Sequence, residues 1–213
     1  MTNRFFVFGD SWPNGDELTY PVDAGGGKTF GNLVAARLCY EFFNYSESST
    51  SVPHLILQLQ QAVKVDNCGE NDTALFFLTS PSRDLVLHNN NGKCTPGELH
   101  PHNPQCSWWY KKGHSKYMEE FRTNTTILSL LSMCEYYQIS PKFVWGWDKT
   151  NLWPEIDSSV FYHKSCAEMF DKNYTNFIDL RQNSIYFTST ASHPNQLGHE
   201  CIAENLTKWL QNS

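Results

Sequence analysis

The chain has 213 residues, a formal net charge of −6, 18% charged residues and 15% aromatic residues. That is enough for one domain with a full core, and the composition excludes a disordered chain. No run of Lys and Arg exceeds two residues, which argues against a nucleic-acid partner, and no apolar run is long enough to span a bilayer.

Met1-Thr2-Asn3-Arg4 passes straight into an apolar segment, so no signal peptide is visible and a cytoplasmic setting is expected. Sequons at Asn44, Asn71, Asn124, Asn173 and Asn205 point weakly the other way, leaving open a secreted form whose leader was removed. The seven cysteines are scattered, without a CxxC pair. Their spacing does not support a zinc cluster, and their odd number suggests mostly reduced thiols. Cys94 and Cys106 share one loop-like stretch, where a bridge is left open.

In chain order, Phe5 to Phe8 reads as a first, buried strand. It stops at Gly9-Asp10-Ser11, and a loop follows to Gly27. Thr29 to Tyr40 has Phe30, Leu33, Val34 and Leu38 on one helical face, with Thr29 near the cap. Phe42 and Phe43 start a second strand, followed by a polar loop through Ser51. Val52 to Val65 reads as a helix, with Ser51 as its cap and Pro53 in its first turn. Ala74 to Leu78 is a third strand. The segment 88–113 reads as a long inserted loop, of the kind that is often functional. Ser115 to Gln138 is the longest predicted helix and Lys142 to Trp147 a fourth strand. Phe161 to Phe170 is partly helical, Phe177 to Leu180 and Ile185 to Phe187 are short strands, and Asn195 to Leu210 is the closing amphipathic helix.

Strands alternating with helices predict a parallel sheet covered on both faces, an α/β architecture with one domain over 1–213. Ligands in such sheets bind beyond the carboxyl ends of the strands. Ser11 leaves the first strand at that edge. His193, stiffened by Pro194, precedes the last helix. A rigidly held imidazole there can serve as general base to a serine nucleophile.

Gly9-Asp10-Ser11 near the start, and His193-Pro194-Asn195 with Gly198-His199 and Ile202-Ala203 near the end, resemble the first and last blocks of the SGNH (GDSL) hydrolases. The resemblance implies a three-layer α/β/α sandwich with a mostly parallel, flavodoxin-like sheet. It also implies an esterase with a Ser11 nucleophile, a His193 base and no cofactor or metal. The oxyanion would be held by the Ser11 N–H, by a loop N–H after strand two and by a side chain after strand three. The family has glycine in that loop; here Ser49 is the best match and Ser48 nearly as good. The family's Asn after strand three is replaced by Arg83, which either stabilises an oxyanion or binds an anionic substrate, or else pairs with Asp84 or a neighbouring loop acid. The family's acid, three residues before the histidine, is replaced by Thr190, which brings no charge; Asp179 is a more remote source of one.

Among the aromatics, Trp12 is expected to line the substrate pocket, as is Trp147, which alternation would point the same way as Trp145. Trp108-Trp109-Tyr110 either lines a sugar cleft or packs the long loop onto the domain. His88, His100, His102 and His114 read as exposed loop histidines rather than metal ligands. Asp10 is expected to hold the turn. A small acyl ester, preferably an O-acetyl ester of carbohydrate, is the expected substrate. The competing expectation is an SGNH-fold protein with impaired chemistry that binds glycans or another partner.

Overall fold

The computed structural model describes residues 3–16, 18, 27–90, 93–99, 107–112, 114–173, 180, 184–187 and 193–212; over 86–99 it describes the backbone alone. The first strand, β1, is Arg4–Phe8, with Phe5 to Phe8 fully buried. β2 is Glu41–Asn44, β3 is Thr73–Leu78 and β6 is Ser140–Trp145. These strands form one sheet in the order β2-β1-β3-β6, with every pairing parallel. The chain first crosses from β1 to β2 on one side and then to β3 on the other. The two loops leaving β1 and β3 therefore open a crevice at the carboxyl edge, where open α/β sheets bind ligands.

Alternation along the strands splits the core in two. Phe6, Phe8, Ala74, Phe76, Leu78, Phe143 and Trp145 face α3 (Leu55–Asp66) and α5 (Lys116–Tyr137). Phe5, Val7, Leu75, Phe77 and Val144 face α2 (Phe30–Leu38), α6 (Cys166–Phe170) and α7 (Gln196–Leu210). Helices thus cover both faces, as strands buried on both sides require. Thr29 caps α2 by accepting from the Asn32 N–H, Ser115 caps α5 through the Met118 N–H, and Asn195 caps α7 through the Gly198 N–H.

Five local readings change. The turn after β1 is not all loop: Ser11–Asn14 forms a one-turn helix, α1, capped by Asp10 and closed by Gly15 at φ 85°. Ser51 does not cap the next helix. Residues Val52–His54 form a 3₁₀ turn ahead of α3, and the Ser51 side chain makes no capping bond. The segment expected as a long loop contains an antiparallel hairpin, β4 (Asp84–Asn90) and β5 (Lys93–Leu99), followed by the short helix α4 (Ser107–Lys112). Trp145 and Trp147 do not point the same way. β6 ends at Trp145, which packs with Phe161 on one face, while Trp147 joins Trp12 on the other. Gly146 reverses the alternation between them, at a point where a Cβ would lie 2.8 Å from the Phe77 ring. Ile185 to Phe187 is a turn ending in a single antiparallel bridge, Phe187 to Pro194, rather than a strand. The predicted strand at Phe177 to Leu180 lies almost wholly outside the described residues.

Cys39, Cys68, Cys134, Cys166 and Cys201 are free thiols; burial pushes Cys68 and Cys134 up to about 12. The bridge left open between Cys94 and Cys106 falls outside the described side chains. Among the described residues, no helix is long and apolar enough to cross a membrane.

Candidate active site at the carboxyl edge of the sheet

Gly9 sits where β1 runs out of sheet partners, and side chains take over its hydrogen bonds. The Gln58 amide accepts from the Gly9 N–H at 2.9 Å and donates to the Gly9 carbonyl at 2.9 Å. Thr50 Oγ1 and the Glu47 N–H also donate to that carbonyl. A side chain at Gly9 would strike Pro13 Cγ at 2.6 Å and Phe77 Cβ at 2.8 Å, so glycine is required for space. Asp10 is fully buried. Its Oδ1 accepts from the Trp12 N–H, and its Oδ2 accepts from Thr79 Oγ1 at 2.5 Å and from Arg83 Nη1 at 2.9 Å. Asp10 holds the turn, as expected, and does so as one end of an ion pair.

Ser11 stands in this fixed frame at 6% exposure. Among the described residues, no hydrogen bond engages its N–H or its Oγ. Ser49 lies in the loop after β2 at φ 64°, the left-handed region that glycine occupies most freely. Ser48, the other candidate, spends its hydroxyl on Asp16 and accepts from Asn14, clasping the end of α1.

Arg83 ties the loops together. Besides its bond to Asp10, Nη1 donates to the Thr50 carbonyl at 3.3 Å, and the guanidinium lies 5.9 Å from the centre of the Trp147 ring. One cation therefore touches the loops that follow β1, β2 and β6 while standing in the loop that follows β3. The expected neighbour Asp84 is occupied elsewhere, by Arg122 at 2.8 Å.

His193 reaches the same edge through an aromatic chain. Trp12, next to Ser11, packs against Phe187 at 5.6 Å, and Phe187 bridges to Pro194. Among the described residues, no hydrogen bond links Ser11 to His193. Behind His193, α7 docks on α2: the Phe30 N–H donates to His199 Nδ1 at 3.1 Å, and the Lys28 N–H donates to Gln196 Oε1 at 2.8 Å. His199 is fully buried, and burial with the nearby His193 charge pushes its pKa down to about 4. The sequence matched His199 to the last block without giving it a role; the signal for its docking role was its place on the inward face of the last helix.

Trp12 does not line an open pocket. At 1% exposure it is core, packed between Phe77, Trp147, Phe170 and Phe187. Trp147 is partly exposed beside Arg83. Trp108 is 61% exposed, whereas Tyr110 anchors α4 by donating from its hydroxyl to the Ser82 carbonyl at 2.8 Å. His114 pairs with Glu119 at 2.7 Å. Thr190, Asp179, His100, His102 and the side chain of His88 lie outside the described residues. Among the described residues, no cluster of three or more His, Cys, Asp or Glu is placed to hold a metal ion.

No protein-family model and no curated protein matches the sequence. Solved structures do resemble the fold. A member of the lipolytic protein G-D-S-L family from Veillonella parvula superposes with a TM-score of 0.52 at 12% identity, covering 97% of both chains. The lipase Lip_vut3 from a goat rumen metagenome gives 0.58 at 12% identity, over 98% of this chain and 97% of that one. The acetyl xylan esterase Est2A from Butyrivibrio proteoclasticus gives 0.54 at 14% identity, over all of this chain (100%) and 64% of that one. The chain, with its four-stranded parallel sheet covered by helices on both faces, thus has the SGNH (GDSL) hydrolase fold.

Proposed function

We propose that the chain is a serine esterase that removes small acyl groups, O-acetyl in particular, from the hydroxyls of a carbohydrate. The observation that carries this reading is Ser11. Gly9 is clamped through both its backbone groups and the Asp10 carboxylate is engaged on both oxygens, yet the Ser11 hydroxyl and N–H are uncommitted among the described residues. A rigid serine with free reacting groups at the crevice between β1 and β3 suits a nucleophile whose own N–H faces the developing oxyanion.

In this scheme Ser11 Oγ attacks the acyl carbonyl while His193 takes its proton. The tetrahedral oxyanion receives the N–H groups of Ser11 and Ser49, with the Arg83 charge nearby. Collapse expels the alcohol, which takes the proton back from His193. Water, deprotonated by His193, then hydrolyses the acyl-serine and restores Ser11. The acetyl xylan esterase among the structural neighbours supports the substrate class. Thr190, in the place of the family's acid, brings no negative charge of its own, and loss of a triad acid can slow such chemistry by on the order of 10⁴-fold.

That replacement, and the commitment of Arg83 to Asp10, favour one second reading: a glycan-binding protein of the same fold with little turnover. Labelling by a fluorophosphonate probe and hydrolysis of p-nitrophenyl acetate separate the two. The esterase reading expects labelling at Ser11 and turnover that falls by at least 10³-fold in Ser11→Ala and in His193→Ala. Labelling or turnover independent of Ser11 would sink it.

A further inference from the structure

Beside the candidate active site lies a cavity of about 360 Å³, at the small end of the range for small-molecule sites. Its walls are the loop after β3, with Ser80 and Ser82, and the loop after β6, with Asp148 and Asn151; the first turns of α5 supply Lys116 and Glu120. Each wall continues directly into the candidate active site, since Ser82 precedes Arg83 and Asp148 follows Trp147. The Arg83–Trp147 contact at 5.9 Å therefore forms a partition between the Ser11 turn and the cavity.

The walls are braced from behind. Asn124 on α5 is fully buried. Its Nδ2 donates to the Glu120 and Asn151 carbonyls at 2.8 and 2.9 Å, and its Oδ1 accepts from the Trp153 N–H at 2.9 Å. This bracing fixes the β6 loop against the helix and also withholds the Asn124 sequon from modification in the folded chain. On the other wall, the Ser80 and Ser82 hydroxyls bond each other at 2.8 Å and Tyr110 holds the Ser82 carbonyl.

The charges inside divide into used and unused. Glu119 is taken by His114, and Lys149 is turned to Glu168 at 2.6 Å. Asp148, Glu120 and Lys116 form no ion pair among the described residues. Asp148 stands exposed at the mouth of the cavity; desolvation first, and the Glu119 charge second, push its carboxyl above its ordinary value. An acyl chain would strand every one of these groups without a partner. An anion would be repelled by two unpaired carboxylates; a cation would be drawn to them but would leave Lys116 repelled and unpaired. A neutral polyol satisfies all three, donating hydroxyls to Asp148 and Glu120 and accepting from Lys116.

We infer that this cavity is a subsite for a neutral, pyranose-sized sugar, which it holds while the ester carbonyl lies beyond the Arg83–Trp147 partition at Ser11. The inference deepens the esterase reading by assigning its alcohol, and it is tested without turnover. Ser11→Ala protein is titrated with xylose, glucose, galactose, mannose, N-acetylglucosamine and their trimers, and binding is followed by saturation-transfer NMR. At least one neutral sugar binds, Asp148→Asn in the same background weakens it tenfold or more, and glucosamine and glucuronic acid bind less tightly. Glu120→Gln gives a second variant with the same expected direction. The inference is overturned if no neutral sugar binds, if both variants bind like the parent, or if a charged sugar binds more tightly. Sugar binding through Asp148 in a chain whose Ser11 is never labelled would sink the esterase reading and leave the subsite standing. Ser11-dependent hydrolysis with no sugar binding would do the reverse.

Discussion

At the scale of single residues, the site is built by side chains that replace a missing strand neighbour. Gln58 does for Gly9 what a backbone would do within the sheet: it accepts from the N–H and donates to the carbonyl. At 1% exposure its amide has no water to fall back on. Gln58→Ala leaves the Gly9 N–H unpaired, although Thr50 and Glu47 still serve the carbonyl. An unsatisfied buried donor and the cavity beside it should cost about 2–4 kcal/mol, read as a lower midpoint in urea unfolding. The Ser11 turn should loosen at the same time, with a larger loss in kcat than in KM. Unchanged stability would show that the clamp is dispensable. None of this was legible in the sequence. A glutamine on a helix and a glycine 49 positions earlier carry no mutual signal, and the Arg83–Asp10 pair spans 73 positions. Ser11 and His193 could be singled out because each stands at the end of an element with its own local signature, a buried apolar run for one and a Pro-Asn helix start for the other.

At the scale of elements, legibility followed burial. The sheet strands and long helices were readable because their apolar periodicity is strong. The hairpin β4–β5 was not, because Asp84–Asn90 and Lys93–Leu99 carry Asn89, Asn90, Pro96 and Gly97 and it stands outside the four-stranded sheet, whose strands carry that apolar pattern. The short helix α1 was hidden by its single turn, and the facing of Trp145 and Trp147 by a glycine between them. The start of α7 shows how tightly elements fix the site. A Cβ on Gly198 would lie 2.5 Å from the Tyr186 carbonyl oxygen and 2.9 Å from Pro194 Cβ. The helix cannot retreat freely, because Gln196 and His199 bind the start of α2. In Gly198→Ala the Pro194 segment must yield, and His193 moves with it. Overpacking of this kind costs about 1–3 kcal/mol, and esterase turnover should fall at least tenfold even well below the unfolding temperature. Full turnover in a destabilised Gly198→Ala protein would show that His193 is positioned from elsewhere.

At the scale of the whole molecule, stability should depend on pH through the docking of α2 on α7. His199 is sealed between them: Nδ1 accepts from the Phe30 N–H, the imidazole stacks on the Phe30 ring at 5.7 Å, and His193 is the nearby charge. Its pKa falls from 6.5 to about 4 on folding. Between those values the unfolded chain takes up a proton that the native chain refuses, so acid favours unfolding and stability rises with pH across the window. The full depression corresponds to on the order of 3 kcal/mol, present above pH 6.5 and lost as pH approaches 4. Asp148 works in the opposite direction, because its carboxyl is raised in the fold and gains protons there first. Glu168 follows the usual carboxylate sense: desolvation raises it, but Lys149 and Ser165 outweigh that and hold it lowered, so its contribution fades only as pH falls through the carboxylate range. Asp148 opposes the loss of stability and Glu168 is lowered from the ordinary carboxylate value, which leaves the upper part of the acid limb to histidine. Urea midpoints measured from pH 7 to pH 4 should therefore fall in the wild type from about pH 6.5 downward. His199→Gln, which keeps an acceptor but cannot take up that proton, should start from a lower midpoint at pH 7 and show a flatter slope between pH 6.5 and 5. A variant slope as steep as the parent's would mean that His199 does not carry the acid sensitivity and that another histidine is buried neutral in the fold.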